Sequence, residues 1–156
     1  MTGNSASPAV QEQLKWEVTP ELYRRIRRLW LRHSIAEDKR DLDGLIATLS
    51  ENCVYEIMPT GQRWEGHAGA RAFYTAFLGA FPDVHFDLID IVIGPQGVIE
   101  VVWMTGTHQG EWAGIAPTNQ QVRLKIIIHF PWDQEAQRFA GENVYFDRAD
   151  FQMFTS

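Results

Sequence analysis

The sequence predicts an α+β domain in which helices come first and antiparallel strands follow. Three observations carry this. Apolar residues between Leu22 and Phe81 recur mostly with helical spacing, whereas residues 84–146 are dominated by β-branched, strand-like runs. Residues 106–122 read as a loop joining two long strands, because residues 98–105 and 122–130 are both apolar and β-branched, so the two flanks belong to one sheet. Finally, a chain of 156 residues with 45% hydrophobic residues fits one domain with a sizeable core.

Taken in order, residues 1–16 are rich in Ser, Ala, Gln and Pro without periodicity and are expected to form a flexible N-terminal arm, leaving residues 17–156 as the single domain. Thr19-Pro20-Glu21 starts the first helix with a hydroxyl N-cap, a proline at the first position and an acid at the positive end of the dipole. That helix should run to about residue 36. Leu22, Ile26, Leu29, Trp30 and His33 share one face, and Arg24, Arg25, Arg27, Arg28 and Arg32 fall mostly elsewhere. The arginine run reads as a solvated face, with an anion or partner site as its alternative. After the polar break at residues 37–40, Asp41 caps a second helix with Leu42, Leu45, Ile46 and Leu49 as its stripe. Residues 53–58 form a strand that Pro59-Thr60-Gly61 ends. Gly66 precedes a third helix, in which Phe73, Phe77 and Phe81 recur at core spacing. Strands follow at residues 84–93, 98–105, 122–130 and 138–146. In the long loop, Gly110 and Gly114 supply positive φ or close backbone approach, and Pro117 ends pairing on its own nitrogen.

Composition narrows the chemistry. A formal charge of −6 argues against a nucleic-acid partner, which needs a concentrated basic surface. The lone Cys53 cannot form an internal disulfide and reads as a buried thiol. There is no secretory pattern and no apolar run long enough to span a bilayer, so no membrane association and a cytoplasmic location are expected. The chain has no G-x-S-x-G elbow, phosphate-binding glycine loop, C-x-x-C or H-x-x-x-H. Neither metal nor cofactor is expected, and a small hydrophobic substrate or ligand is the expected partner.

The run Gly106-Thr107-His108-Gln109-Gly110-Glu111-Trp112-Ala113-Gly114-Ile115-Ala116-Pro117-Thr118 resembles the signature of the SnoaL-like polyketide cyclases of the nuclear transport factor 2 superfamily. Phe81-Pro82-Asp83 and Glu142-Asn143-Val144-Tyr145-Phe146-Asp147 fall where that family has similar segments, and the resemblance covers residues 22–147. It implies a cone: a curved antiparallel or mixed sheet packed on three helices around a deep pocket. It also implies a homodimer through the exposed sheet face, for which the apolar residues on both faces of the strand around Ile127 provide a surface.

The same resemblance implies site residues. The segment around Asp38 is similar to the helix end of γ-hexachlorocyclohexane dehydrochlorinase and, more loosely, of scytalone dehydratase, where an aspartate and a strand histidine form an acid-base dyad. Asp38 and His85 match those positions. A carboxylate on one imidazole nitrogen fixes the tautomer and raises the basicity of the other, which suffices for enolisation or elimination. His129 matches a pocket histidine of the ring cyclases. The cyclases' acid on the last strand falls at Val144 here, and Glu142, on the same period-2 face, provides a displaced carboxylate. Tyr55 and Trp103 are candidates to line the pocket, His108 to bond the loop backbone or contact ligand, and Asp147 to cap or pair with an arginine. The implied activity is cofactor-independent acid/base chemistry on a small ring or carbonyl compound, as intramolecular aldol cyclisation, dehydration or isomerisation. The alternative is a non-catalytic ligand-binding or dimerisation domain.

Overall fold

The computed structural model describes residues 7–155, with side chains described to residue 151. Five helices and six strands follow one another as α1 Pro8–Gln13, α2 Pro20–Asp38, α3 Leu42–Ile46, β1 Leu49–Ile57, β2 Gln62–Glu65, α4 Gly66–Ala80, β3 His85–Gly94, β4 Gly97–Thr107, β5 Gln121–Asp133, β6 Arg138–Tyr145 and α5 Arg148–Thr155. Within the expected arm Pro8–Gln13 forms a short helix with no buried residue, and residues 1–6 lie outside the described residues. Ser7-Pro8 repeats the start chemistry of Thr19-Pro20: the Val10 N–H donates to Ser7 Oγ at 3.3 Å and the Leu22 N–H to Thr19 Oγ1 at 3.1 Å.

The strands form one sheet in the order β2-β1-β6-β5-β4-β3, with β1 and β6 parallel and the other neighbours antiparallel. This is an open, curved, mixed α+β sheet. Its inner face packs on α2 and α4 through Ile26, Leu29, Phe73, Phe77, Val102, Met104, Leu124, Ile126, Phe130 and Phe139, all buried. Helix α2 buries Ile26, Leu29 and His33 of the expected stripe, with Ala36 beside them, while Leu22 and Trp30 are partly buried against the core.

One irregularity decides what faces the core. Trp132 pairs with Phe139, but His129 pairs with Asn143, so β6 carries one extra residue between these pairs. That bulge turns Phe139 and Glu142, three residues apart, to the same inner face. Gly141 sits in it with φ +124°, and a Cβ there would fall on the Val54 carbonyl oxygen. Only glycine fits.

Candidate functional site

Between the sheet and α4 lies an apolar cavity of about 490 Å³, its mouth included, of which only about 30 Å³ is open to the centre of a water molecule. It is a thin slot. Phe73 and Phe77 of α4, Phe86 of β3, Met104 of β4, Ile126 and Ile128 of β5 and Val144 of β6 line it, with two carboxylates, Glu37 and Glu142. The signature loop closes one side. The Gln109 and Gly110 N–H groups both donate to the Ala80 carbonyl, at 2.8 and 3.2 Å, and a Cβ on Gly110 would lie 2.9 Å from Ala80 Cα. This close approach, with Gly114 at φ +78°, gives both glycines the uses expected of them. Trp112 then packs into the cavity wall, stacked on Trp64 at 6.4 Å and meeting Phe77 at 5.1 Å.

The polar end of the slot is one buried cluster. Glu142 Oε1 lies 2.5 Å from the Tyr74 hydroxyl, 3.1 Å from the Tyr55 hydroxyl and 2.9 Å from His33 Nε2. The two phenols are 3.0 Å apart, and Tyr74 Oη is 2.8 Å from His33 Nε2. Proton positions follow from the partners. Thr48 donates to the Leu45 carbonyl at 2.7 Å, so Thr48 Oγ1 accepts from His33 Nδ1 at 2.7 Å. With Nδ1 the donor, two lone pairs would face each other at 2.9 Å unless one proton lies between Nε2 and Oε1. The Tyr74 hydroxyl lies within hydrogen-bond distance of both Nε2 and Oε1, so imidazole, phenol and carboxylate form one hydrogen-bonded group. The hydrogen bonds to the Glu142 carboxylate among the described residues all fall on Oε1, and the residue lines the cavity. Burial first, then the Glu142 charge, pushes both the Tyr55 and the Tyr74 phenols well above their usual range, so both remain O–H donors.

Two further carboxylates approach. Glu37, one helical turn after His33, lines the slot and also a second hollow formed by Trp30, Ser34, Asp38, Phe86, Leu88, Glu100 and Val102. Part of its surface opens onto these hollows while protein surrounds it. Burial, then the charges of Glu142, Glu100 and Asp38, push its carboxyl well above the ordinary carboxylate range, against the opposing charge of Arg40. Glu100 is buried on β4 with the Trp30 indole N–H donating to it at 2.8 Å; burial raises it to about 7, the indole bond opposing and the Glu142 charge adding.

Of the residues expected from sequence, Glu142 and Tyr55 meet in this cluster, and the others are placed elsewhere. Asp38 and His85 are not brought together: Asp38 lies exposed at the rim of the second hollow, and His85 Nε2 contacts Asp87 Oδ1 at 3.1 Å with two-thirds of its side chain exposed. The reason is strand period. Phe86, paired with Met104, faces inward, so His85, paired with Thr105, faces outward. His129 is corrected on the same ground: Ile128 and Phe130 point into the core, and His129 lies on the outer face with Nδ1 3.4 Å from Asn143 Nδ2. Burial against its neighbours lowers the His129 imidazole below its usual value. Trp103 is also on the outer face, covered by the Arg123 guanidinium 3.5 Å from its ring. His108 is fully buried between Phe81 and Phe151, with Nδ1 3.2 Å from Thr118 Oγ1, and does not line the slot. Asp147 caps α5, accepting from the Ala149 N–H at 2.8 Å. Sequence reasoning missed Tyr74, Thr48, Glu37 and the polar role of His33. A histidine within the apolar stripe of α2 was the available signal.

The profile of the SnoaL-like polyketide cyclases matches residues 21–151. No curated protein sequence matches the chain. Among solved structures, one from Jannaschia sp. CCS1, provisionally named a SnoaL-like polyketide cyclase, superposes with TM-score 0.77 at 17% identity, covering 90% of this chain and 97% of that one. AclR of Streptomyces galilaeus, provisionally named a hydroxylase, gives 0.66 at 21% over 84% and 95%. The epoxide hydrolase/cyclase-like enzyme SalBIII, named for pyran ring formation in the polyether salinomycin, gives 0.65 at 18% over 81% and 94%. Identities this low speak for the shared cone alone. The profile match runs from α2 into α5 and takes in the whole sheet and the loop that closes the slot, and by it the chain belongs to the SnoaL-like polyketide cyclase family.

Proposed function

We propose that the chain is a cofactor-independent acid/base enzyme acting on a small apolar ring or carbonyl compound, with an intramolecular aldol cyclisation or a related elimination or isomerisation as its reaction. The observation that carries this reading is the pairing of two unlike carboxyls on one apolar slot: Glu142, with three hydrogen-bond partners on Oε1, and Glu37, whose carboxyl burial and neighbouring charge push well above the ordinary range. Different surroundings for two acids on one site divide the base role from the acid role. Glu142, through the Oε2 left without a hydrogen bond among the described residues, takes a proton from the carbon beside a carbonyl. Tyr55, Tyr74 and His33 hold Oε1 in place and stabilise its charge. Glu37, as the neutral acid, donates to the oxygen on which the enolate charge develops. Apolar walls exclude water from these steps.

Homodimerisation through the outer sheet face belongs to the same reading, supported by exposed Val92, Ile99 and Ile127. A monomer in sedimentation at micromolar concentration would remove that part alone.

The test of the chemistry is exchange of the α-protons of β-tetralone in D₂O, followed by proton NMR. Exchange above the buffer rate is expected for the parent protein, with Glu142→Gln and Glu37→Gln both strongly impaired. Saturable binding of the ketone without exchange would overturn the catalytic reading in favour of a ligand-binding domain.

A further inference from the structure

The groove between α2 and the β5–β6 turn concentrates positive charge in an acidic chain. Its walls are Arg25, Arg28 and Arg32 from α2 and Arg138 from β6, with Leu29 and Gln137 completing a hollow of about 400 Å³. Among the described residues no carboxylate lines it, although the whole chain carries a formal charge of −6. Between Leu22 and Ala36 the helix has five arginines and no acid. For a face serving solubility alone, alternating Glu and Arg at four-residue spacing would stabilise the helix, whereas arginines three and four apart repel. The helix accepts that repulsion here.

The groove is also built. Arg25 is held from two sides, Nη1 donating to Gln137 Oε1 at 2.5 Å and Nη2 to Glu21 Oε1 at 3.2 Å, while Arg138 Nη1 donates to the Gln137 carbonyl at 3.0 Å. The turn carrying Gln137 is fixed by Asp133, whose Oδ1 accepts from the Glu135 and Ala136 N–H groups at 3.0 and 2.9 Å. Arg28 and Arg32 make no hydrogen bond or ion pair among the described residues, so their donors are free for a ligand. Arg138 also borders an adjoining hollow that contains Glu51, Asp133 and Glu135, which limits the positive field on that side. Guanidinium groups converging from two elements on a concave surface suit bidentate recognition of phosphate oxygens, and a hollow of this size suits a small molecule.

We propose that this groove binds a small phosphate-bearing ligand with two or more negative charges, of the diphosphate class, at a site separate from the apolar slot. Arg28 and Arg32 supply the free donors, and Arg25 and Arg138 form the fixed walls. The proposal does not depend on the chemistry assigned to Glu142.

Inorganic pyrophosphate is the probe, titrated by calorimetry at low and at moderate salt. Saturable one-site binding is expected in the parent protein, weakened at least tenfold in Arg28→Gln/Arg32→Gln. The variant Arg24→Gln/Arg27→Gln removes the same charge from a neighbouring part of the helix and should bind as the parent does, with circular dichroism confirming that each variant is folded. Three outcomes overturn the proposal: no saturable binding at low salt, equal weakening in both variants, which would reduce the groove to diffuse electrostatics, or preference for an oligoglutamate peptide over pyrophosphate, which would make it a surface for an acidic polypeptide.

Discussion

On its inner face the sheet carries Glu100 and Glu142 among apolar side chains, and on its outer face it carries His85, Trp103, Arg123, Lys125 and His129. Both faces contain groups able to move protons. They differ in surroundings. On the outer face His85 is two-thirds exposed and burial acts only on His129, whereas around the inner face burial shifts Glu37, Glu100, Tyr55 and Tyr74 upward and Glu142 meets three partners. Residue type alone therefore says little about which group can act. The side a residue takes, set by a period of two and by one bulge in β6, says more.

The contrast can be broken most strongly at its centre. Replacing Glu142 by Gln keeps the shape of the carboxylate but removes the base, and proton exchange on the tetralone probe should fall by roughly 100- to 10,000-fold. Unimpaired exchange would mean that the inner cluster is structural. Next in size is packing. Phe139, fully buried against His33, Phe130 and Trp132, should cost about 3–5 kcal/mol as Phe139→Ala in a urea titration, through the cavity left behind.

Glu100 tests burial through pH. Its carboxyl is raised from 4.5 to about 7, so between these values the folded state binds more protons than the unfolded state. Stability is full below the lower value and falls as pH rises through the upper one, by an amount on the order of 3 kcal/mol. Glu100→Gln retains an acceptor for the Trp30 indole and should flatten that decline, as measured by thermal unfolding from about pH 4 to about pH 9. An unchanged slope would assign the pH dependence to another group. The smallest effects belong outside. His85→Ala should change stability by only about 0.5 kcal/mol and leave proton exchange unaltered. A large loss of exchange there would reverse the assignment of the two faces.

Much of the fold is legible in the sequence. Thr19-Pro20 and Asp41 mark the starts of α2 and α3, and the loop glycines do what their positions required. Glu142 was legible too, because its period-2 relation to Val144 is local and lies beyond the bulge. His85 and His129 were drawn into the site by their match to relatives, yet each is flanked by a residue that faces the core, and alternation sends the histidine out. Tyr74 and Thr48 gave no sign, since a tyrosine on a phenylalanine-rich helix and a threonine beside a strand look like packing until the partners from α2 and β6 arrive. The short β2 and α1 fell in stretches whose composition suggested turn and arm.

The parallel pairing of β1 with β6 also orders events in time. Tyr55 and Glu142 are separated by 87 positions along the chain, so their contact is among the non-local closures that slow folding. As the chain emerges during synthesis, α2, β1 and α4 are available long before β6, and the antiparallel run β3-β4-β5 can pair by local hairpins. Glu142 enters with the last strand. Until β6 docks between β1 and β5, His33, Tyr55 and Tyr74 lack the carboxylate that gathers them, and completion of the site is the same event as closure of the sheet.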